Sequence, residues 1–238
     1  MRLGLGLGMG VAAGPIASFV PTDLSGITLW LRAGVGYSSG TWLDQSGAGH
    51  NFTQASGPAQ PTTGTIAGQP ALVFNGTSQY LSSAASAFSG QTAGEAFIVM
   101  QLDADPPATG AGGLWTFGTG ASDHTPFTDG VIYSGWGSDT RKTTVDPATS
   151  MASAACIYNI RSAANAWSSH LNGTQLFTTA TNSVAFPSVC VIGSGNVAGS
   201  VFHKGKIGEV LVFNRVLTSD ERTSNLAYLG SLYGIAIA

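Results

Sequence analysis

The residues with the clearest chemical potential lie between positions 121 and 141, where aromatic side chains alternate with carboxylates, an imidazole and a guanidinium. This mixture is typical of sugar-binding surfaces, because an aromatic face packs on the sugar ring while polar groups hydrogen-bond its hydroxyls. Trp136 stands between Gly135 and Gly137, so no adjacent side chain covers it; packing in a core is the alternative. The candidate carbohydrate-binding residues are Asp123, His124, Asp129, Tyr133, Trp136, Asp139 and Arg141, with Phe127 in the same stretch.

Hydrolytic chemistry lacks the residue pattern that it needs. A glycoside hydrolase requires two carboxyl groups roughly 5–9.5 Å apart across the bond it cleaves. The close acidic pairs are Asp103/Asp105, which precede two prolines, and Asp220/Glu221, which belong to a helix start. Ser194 lies between two glycines but without the strand and helix of a nucleophile elbow, and the histidines lack metal-site spacing. We therefore predict no catalytic residues, no metal ligands and no enzymatic activity.

Charge is scarce along the whole chain. Asp, Glu, Lys and Arg make up 9% of the 238 residues, against about 25% in an ordinary soluble domain. The surface must therefore consist largely of neutral polar residues and glycine, which suits contact with glycans or with other copies of the chain. The net charge of −3, with no basic stripe, argues against nucleic-acid binding. No run of 18 apolar residues predicts a membrane span.

The elements that must position the candidate residues are short strands separated by turn residues, the pattern of an all-β sandwich. Clear strand patterns occur at Ile27–Arg32, Ala71–Phe74, Ala96–Leu102 and Val131–Tyr133. The strongest hairpin signal is Asn172-Gly173 between 166–171 and 174–178, because this pair supplies the two positive-φ residues of a type I′ turn. Nothing in this body predicts a long helix, so a βαβ architecture is excluded.

One helix is predicted near the end of the chain. Thr218 and Glu221 have the spacing of a capping box, in which each side chain accepts a backbone N–H of the other residue. Gly234 is placed to end the helix. The apolar residues that recur at helical spacing, and that should pack on the sandwich, are Leu226, Leu229 and Tyr233.

We divide the chain into an N-terminal arm at 1–20, a sandwich at 21–217 and a C-terminal helical segment at 218–238. An extended arm would carry long apolar side chains on one side and bare glycine backbone on the other. We expect it to contact a neighbouring subunit by strand addition; pairing within its own domain is the alternative. The assembly residues are Leu3, Leu5, Leu7 and Met9. The segment loosely resembles a signal peptide, but alternating glycines disfavour the required helix, so we expect it to be retained.

The two cysteines have no metal-type spacing. Cys156 and Cys190 each lie in an apolar, strand-like run. We expect buried thiols that pack as small hydrophobic groups, and a disulfide between neighbouring strands is the alternative.

Three blocks of sequence carry a resemblance to a known family. The first is Trp42–Asn51 (WLDQSGAGHN), the second is Gly68–Leu81 (GQPALVFNGTSQYL), and the third runs from Gly205 through Leu217 to Ile235. In this order they resemble the laminin-G-like, concanavalin A-like lectin and glucanase jelly-roll domains. The resemblance implies an antiparallel two-sheet jelly-roll sandwich, which together with the arm and the helix gives the fold that we predict.

The same blocks predict structural roles for their residues. Asp44 and Ser46, with the glycines beside them, predict a tight turn in which side chains bond the backbone. Glu209 lies in an apolar strand and is expected to have a fixed hydrogen-bond partner. The predicted large anchors of the core are Trp30, Trp42, Phe74, Tyr80 and Phe213.

Laminin-G-like domains often bind calcium through one or two aspartates and loop carbonyls. The resemblance therefore implies Asp123, Asp129 and Asp139 as candidate calcium ligands. Three separated aspartates are a weak signal for a cation that takes six to eight oxygen ligands. Solvated loop carboxylates are the alternative, and no other cofactor is expected.

Domains of this type also resemble ones common in bacteriophage structural proteins. With the charge-poor surface and the arm, this leads us to expect a non-enzymatic virion structural protein, such as a head decoration, spike, fibre or tail component. Its partners would be copies of itself and other virion proteins, and its lectin-like sandwich could adhere to host-surface polysaccharide. The alternative is a secreted, extracellular bacterial carbohydrate-binding module, calcium-dependent or not.

Overall fold

The computed structural model describes residues 19–84, 86–108 and 112–238. The assembly residues Leu3, Leu5, Leu7 and Met9 lie outside the described residues. In the described residues, short 3-10 turns occupy Pro21–Asp23 and Gly57–Ala59, and one α-helix, α1, spans Ser219–Tyr233. The strands there are β1 Ile27–Arg32, β2 Tyr37–Ser38, β3 Thr41–Trp42, β4 Phe52–Thr53, β5 Thr62–Ile66, β6 Gln69–Asn75, β7 Leu81–Ser83, β8 Ala93–Leu102, β9 Trp115–Thr116, β10 Tyr133–Ser134, β11 Lys142–Thr143, β12 Cys156–Ala163, β13 Ala166–Leu171, β14 Thr174–Thr179, β15 Val191–Ile192 and β16 Lys204–Phe213.

The strands form two main antiparallel sheets. The larger sheet has the order β14-β13-β12-β8-β16-β6-β5, and β1 also pairs with β16. Strand β16 is flanked by β8 on one side; on the other, β6 pairs with its first half and β1 with its second half. The smaller sheet has the order β2-β3-β4-β7-β15-β9, and β10 pairs with β11 separately. The predicted all-β class with a C-terminal helix is confirmed.

Strand β8 shows why the larger sheet is buried on both faces. Ala96, Ile98 and Met100 point into the core between the sheets. Phe97 and Val99, which alternate with them, point to the opposite face and pack under α1. Both faces of β8 are therefore apolar, which explains its continuous hydrophobic run. The molecule has three layers: the smaller sheet, the larger sheet and the helix.

The predicted core anchors divide into two groups. Trp42, Phe74 and Phe213 are fully buried. Trp30 and Tyr80 are half-buried. Each of these two rings lies near another aromatic ring toward the surface, Trp30 beside Tyr228 and Tyr80 beside Phe202.

Helix α1 begins and ends as predicted. The Glu221 N–H donates to Thr218 Oγ1 at 3.3 Å, and the Thr218 N–H donates to Glu221 Oε2 at 2.9 Å. Gly234 ends the helix in the left-handed conformation, with φ of 64°. The predicted apolar residues Leu226, Leu229 and Tyr233 pack on the larger sheet. Helix α1 falls short of the length and hydrophobicity of a membrane span, as does every helical segment of the described residues.

Two buried glutamates connect α1 to the sheet beneath it. Glu209 accepts hydrogen bonds from Trp30 Nε1 at 2.6 Å, from Tyr228 OH at 2.9 Å and from Tyr233 OH at 3.3 Å. Burial raises its pKa, and these hydrogen bonds oppose the increase. The expectation that Glu209 has fixed partners is confirmed.

Glu95, on β8, is also fully buried. Arg222 of α1 donates to both of its carboxylate oxygens, at 2.7 and 3.0 Å. Asn159 Nδ2 donates at 3.1 Å and the Leu217 N–H at 2.9 Å. A bidentate, fully hydrogen-bonded pair of this kind offsets the loss of solvation of the charge.

Two predicted turns are also confirmed. Asn172 and Gly173 join β13 to β14 with φ values of 50° and 89°, as a type I′ turn requires. In the other turn, Asp44 Oδ1 accepts the N–H groups of Trp30 and Ser46, each at 2.9 Å. This carboxylate therefore fixes the turn after β3 to strand β1.

Two further predictions concern the cysteines and the strand at Val131–Tyr133. Cys156 and Cys190 are free, buried thiols, which excludes the disulfide alternative. Burial raises the pKa of Cys156 to about 12 and also raises that of Cys190, so both stay protonated. The strand predicted at Val131–Tyr133 begins two residues later than expected, as β10 at Tyr133–Ser134.

Candidate functional site

The segment that holds the candidate residues folds into an irregular hairpin. The His124 N–H donates to the Tyr133 carbonyl at 2.7 Å, and the Tyr133 N–H donates back to the His124 carbonyl at 2.9 Å. Inside this pairing, the Phe127 N–H donates to the Val131 carbonyl at 2.9 Å. The chain then passes through β10 and returns as β11, which follows Arg141 directly. Residues that are separated in sequence thus meet at one surface.

An open pocket of about 200 Å³ is lined by His124, Phe127, Tyr133 and Arg141; we call it the Tyr133 pocket. Its three rings meet edge to face. The centroids of His124 and Phe127 are 4.7 Å apart, and those of Phe127 and Tyr133 are 6.0 Å apart with an interplanar angle of 89°. Edge-to-face contacts hold rings in fixed orientations, so this wall of the pocket is preorganised.

The Arg141 guanidinium forms the polar wall of the pocket. Its Cζ lies 5.1 Å from the centroid of the Tyr133 ring, within the range of a cation–π contact. Its Nη1 donates to the Ser122 carbonyl at 2.7 Å. These two contacts fix the plane of the side chain and leave further N–H donors of the guanidinium for a ligand.

Asp129 lies beside the pocket, on the solvent side of Tyr133. Its Oδ2 accepts the Tyr133 hydroxyl at 2.8 Å and its Oδ1 accepts the Val131 N–H at 2.9 Å. The hydrogen bond from Tyr133 lowers the pKa of Asp129, and the same bond raises the pKa of Tyr133. At neutral pH the pair is therefore a carboxylate and a neutral phenol.

His124 is half-buried in the wall of the pocket. Burial lowers its pKa, and the positive charge of Arg141 lowers it further, whereas Asp129 acts in the opposite direction. The imidazole is therefore neutral at pH 7. A neutral imidazole can donate one hydrogen bond and accept another.

Asp123 does not reach the surface, and its prediction as a sugar-contacting residue is wrong. Its side chain is buried, with 4% exposure. Oδ1 accepts the Gly135 N–H at 2.6 Å and Oδ2 accepts the Ser134 hydroxyl at 3.2 Å. Burial raises the pKa of Asp123 to about 7, and the hydrogen bonds and Arg141 only partly oppose this. Its role here is to hold the backbone behind β10.

Trp136 is also buried, with 0% exposure, so its prediction as a sugar-contacting residue is wrong and the alternative, packing in the core, is confirmed. Its ring stacks on Phe117 with centroids 6.1 Å apart and meets Phe186 edge to face at 5.4 Å. The glycines around it serve close packing. A Cβ on Gly94 would lie 2.9 Å from the Trp136 ring, and one on Gly137 would lie 3.0 Å from Phe186.

The three aspartates considered as calcium ligands have separate environments. Asp123 is buried, Asp129 is bonded to Tyr133, and exposed Asp139 accepts the Thr140 hydroxyl at 2.8 Å. Within residues 19–84, 86–108 and 112–238, no group of three or more His, Cys, Asp or Glu side chains is arranged to hold a metal ion. The fold does not bring these aspartates together as a cation site.

Two residues that support the pocket were not found from the sequence. The Ser122 carbonyl anchors Arg141, and Asn196 Nδ2 donates to Ser122 Oγ at 3.2 Å. Both lie on a neighbouring groove of about 400 Å³, which is lined by neutral residues. The contact between Ser122 and Asn196 joins distant parts of the chain, and no local pattern indicates it.

No protein-family model matches the chain, and no curated protein matches it. Several solved structures match the chain. The sialidase of Trypanosoma rangeli in complex with sialic acid matches with a TM-score of 0.62 and 14% identity over 90% of this chain and 34% of the sialidase. The chain thus spans about a third of that enzyme's length. These values indicate a shared fold.

Two further matches are single domains of larger proteins. Domain 4 of the extracellular GH43 arabinanase AbnA from Geobacillus stearothermophilus, in complex with arabinotriose, has a TM-score of 0.56 and 13% identity over 84% of this chain and 98% of that domain. The ligand-binding domain of botulinum neurotoxin serotype D, in complex with N-acetylneuraminic acid, has a TM-score of 0.60 and 11% identity over 87% of this chain and 51% of that one. This chain has their β-sandwich fold.

Proposed function

We propose that this chain is a non-catalytic glycan-binding module that binds a sugar in the Tyr133 pocket. One observation carries the proposal: an open pocket in which the rings of Phe127 and Tyr133 stand next to the fixed polar groups of Arg141, Asp129 and His124. Sugars present apolar C–H faces and hydroxyl edges, and both kinds of surface find partners here. The matched domains in complex with arabinotriose and N-acetylneuraminic acid support this use of the fold.

The pocket offers hydrogen bonds of both polarities. Asp129 can accept from sugar hydroxyls, Arg141 can donate to them, and neutral His124 can do either. These groups are already held by Tyr133, Val131 and the aromatic contacts, so binding orders few side chains. The neutral groove beyond Ser122 leaves room for further sugar units.

The absence of catalysis is part of the proposal. Hydrolysis of a glycoside needs two carboxyl groups on either side of the scissile bond. Asp129 is exposed beside the pocket, but Asp123 is buried and bonded to Ser134 and Gly135. The described residues that line the Tyr133 pocket include no carboxyl group to act with Asp129.

We further propose that the module belongs to a virion structural protein of a bacteriophage, where it would attach to host polysaccharide alongside copies of itself. The scarcity of charge supports a surface that lies against other subunits. The alternative setting is a secreted module, which the likeness to a domain of an extracellular arabinanase favours. Glycan binding is common to both settings.

The glycan proposal is tested by Tyr133→Ala on a glycan array, followed by titration calorimetry with the best-binding glycan. We expect binding to fall roughly tenfold or more, because the variant removes an aromatic wall and the partner of Asp129. Tyr37→Ala, which removes a half-buried tyrosine of β2, is the control and should bind normally. Normal binding by Tyr133→Ala, or wild-type protein that binds no glycan, contradicts the proposal.

The two settings are separated by mass spectrometry and light scattering of the mature protein. Cleavage after Ala13 or Ala17 supports secretion. An intact arm together with a stable oligomer supports the virion component, whereas an intact monomer contradicts assembly through copies of the chain.

A further inference from the structure

We propose that the Tyr133 pocket is selective for sugars that carry a carboxylate, such as sialic or uronic acids, and that Arg141 is the selecting residue. This inference rests on the proposed glycan-binding function and names the class of glycan. It is carried by the state of Arg141 in the folded protein, by the fixed plane of its guanidinium and by the charges that face it.

Arg141 differs from most other cationic side chains of the described residues in its lack of a nearby carboxylate. Carboxylate partners within 4 Å are found for Arg32, Arg161, Lys204, Arg215 and Arg222. In the part of the chain that the structure describes, Arg141 has no such partner. A half-buried guanidinium in a pocket, with no carboxylate within 4 Å, is a site at which an anion gains a charge-assisted hydrogen bond.

The geometry of Arg141 suits a planar anion. A guanidinium carries five N–H donors in a rigid fork, and one of them is used on the Ser122 carbonyl at 2.7 Å. The contact with the Tyr133 ring holds the plane in place. A carboxylate can accept two parallel N–H groups from such a fork, whereas a hydroxyl cannot. The pocket should therefore bind a carboxylate more tightly than a hydroxyl.

The remaining charges around the pocket permit an anion to enter. The oxygens of Asp129 accept hydrogen bonds from Val131 and Tyr133, and Asp129 is not among the residues that line the pocket. His124 is neutral and can donate one N–H group. The carboxylate of Asp123 is buried behind Gly135. Of the described residues that line the pocket, Arg141 is the one with a charge, and the carboxylate of Asp129 beside the pocket is already engaged by two hydrogen bonds.

The test uses pairs of probes that differ in the acid: 3′-sialyllactose with lactose, and trigalacturonic acid with galactotriose. Titration calorimetry on the full chain should show that the acidic member of at least one pair binds about tenfold or more tightly than the neutral member. Arg141→Gln should abolish this preference, because glutamine carries neither the charge nor the fork of the guanidinium. Circular dichroism and a thermal melt like those of the wild type show that the variant is folded. Arg141→Lys should restore the preference only partly, because lysine keeps the charge without the fork.

Lys142→Gln is the matched control, since it removes the same charge from the next residue, which lies outside the pocket lining. It should keep the preference. Equal binding of acidic and neutral probes by the wild type overturns this inference but leaves glycan binding intact. Loss of the preference in Lys142→Gln to the same extent also overturns it, as does tighter binding of 3′-sulfolactose than of 3′-sialyllactose. Binding of no sugar at all contradicts the proposed function instead.

Discussion

The interface between helix and sheet and the segment around the Tyr133 pocket both bury carboxyl groups, but they treat them differently. Glu95 receives two hydrogen bonds from Arg222, and Glu209 receives three from aromatic side chains, with Arg32 Nε 3.9 Å away. Asp123 has only neutral donors in contact, from Ser134 and Gly135, and its pKa rises to about 7.

The two regions therefore have different roles. The carboxyl groups at the interface between helix and sheet hold two elements together, whereas the carboxyl group behind the Tyr133 pocket can change its charge. The two hydrogen bonds from Arg222 to Glu95 lock α1 to strand β8. Asp123, whose contacting donors are neutral, gains or loses its charge near pH 7, because the hydrogen bonds only partly oppose the effect of burial. Asp123 lies behind β10 and the residues that we propose for binding, so the surroundings of the pocket respond to pH near neutrality.

The largest effect is expected from Glu95→Gln. The change leaves Arg222 and Arg161 without their buried counter-ion, and breaking such a pair costs about 3–5 kcal/mol of the free energy of unfolding. Urea denaturation measures this. Asp103→Asn, which breaks the exposed contact with Lys204, is the control and should change stability by less than about 0.5 kcal/mol. A loss of below about 1 kcal/mol in Glu95→Gln would remove the distinction between the two regions.

The next effect concerns Asp123→Asn as a function of pH. The pKa of Asp123 in the folded state, about 7, lies above that of an unfolded aspartate, about 3.9. The folded state thus binds the proton more tightly, and this contribution to stability is complete below about pH 4 and is lost as pH rises through 7. The variant should gain stability relative to wild type, by up to about 4 kcal/mol, between pH 4 and pH 8. A difference in unfolding free energy that stays constant with pH would show that Asp123 does not titrate as described.

A smaller effect of opposite sign is expected from His203. This residue is fully buried beside Phe74, and burial lowers its pKa to about 4. Because the unfolded side chain has a pKa of about 6.5, the contribution of His203 to stability should fall as pH drops below 6.5, by roughly 2 kcal/mol at pH 5. His203→Gln lacks this contribution, so its unfolding free energy relative to that of the wild type should rise by about the same 2 kcal/mol between pH 7.5 and pH 5, whatever its stability at pH 7. Thermal melts from pH 7.5 to 5 check this, and an unchanged slope in the variant contradicts it.

Sequence reasoning succeeded where a structure is encoded locally. The Asn172-Gly173 turn, the box formed by Thr218 and Glu221, and the turn around Asp44 each depend on residues a few positions apart. Short apolar runs bounded by turn residues also predicted several strands, such as β1 and β8. The fold class followed from these patterns.

The candidate site was predicted only in part. His124, Tyr133 and Arg141 meet at one pocket, with Asp129 beside it, within the predicted stretch. The choice between an exposed and a buried Trp136 could not be made from the sequence, because the ring packs against Phe117, Phe186 and Gly94, which are distant in the chain. The partner of Arg141, the carbonyl of Ser122, was also missed. Every residue has a backbone carbonyl, so the residue types do not indicate which one Arg141 contacts.

The position of β16 has a consequence for how the chain acquires its structure during synthesis. Strand β1 pairs with β16 through contacts such as Trp30 with Leu211, and β6 and β8 pair with it too. Until this late strand leaves the ribosome, those three earlier strands each lack a neighbour and expose an open edge. Closure of the larger sheet is therefore a late, non-local event, which predicts slow folding and a nascent chain that benefits from a chaperone.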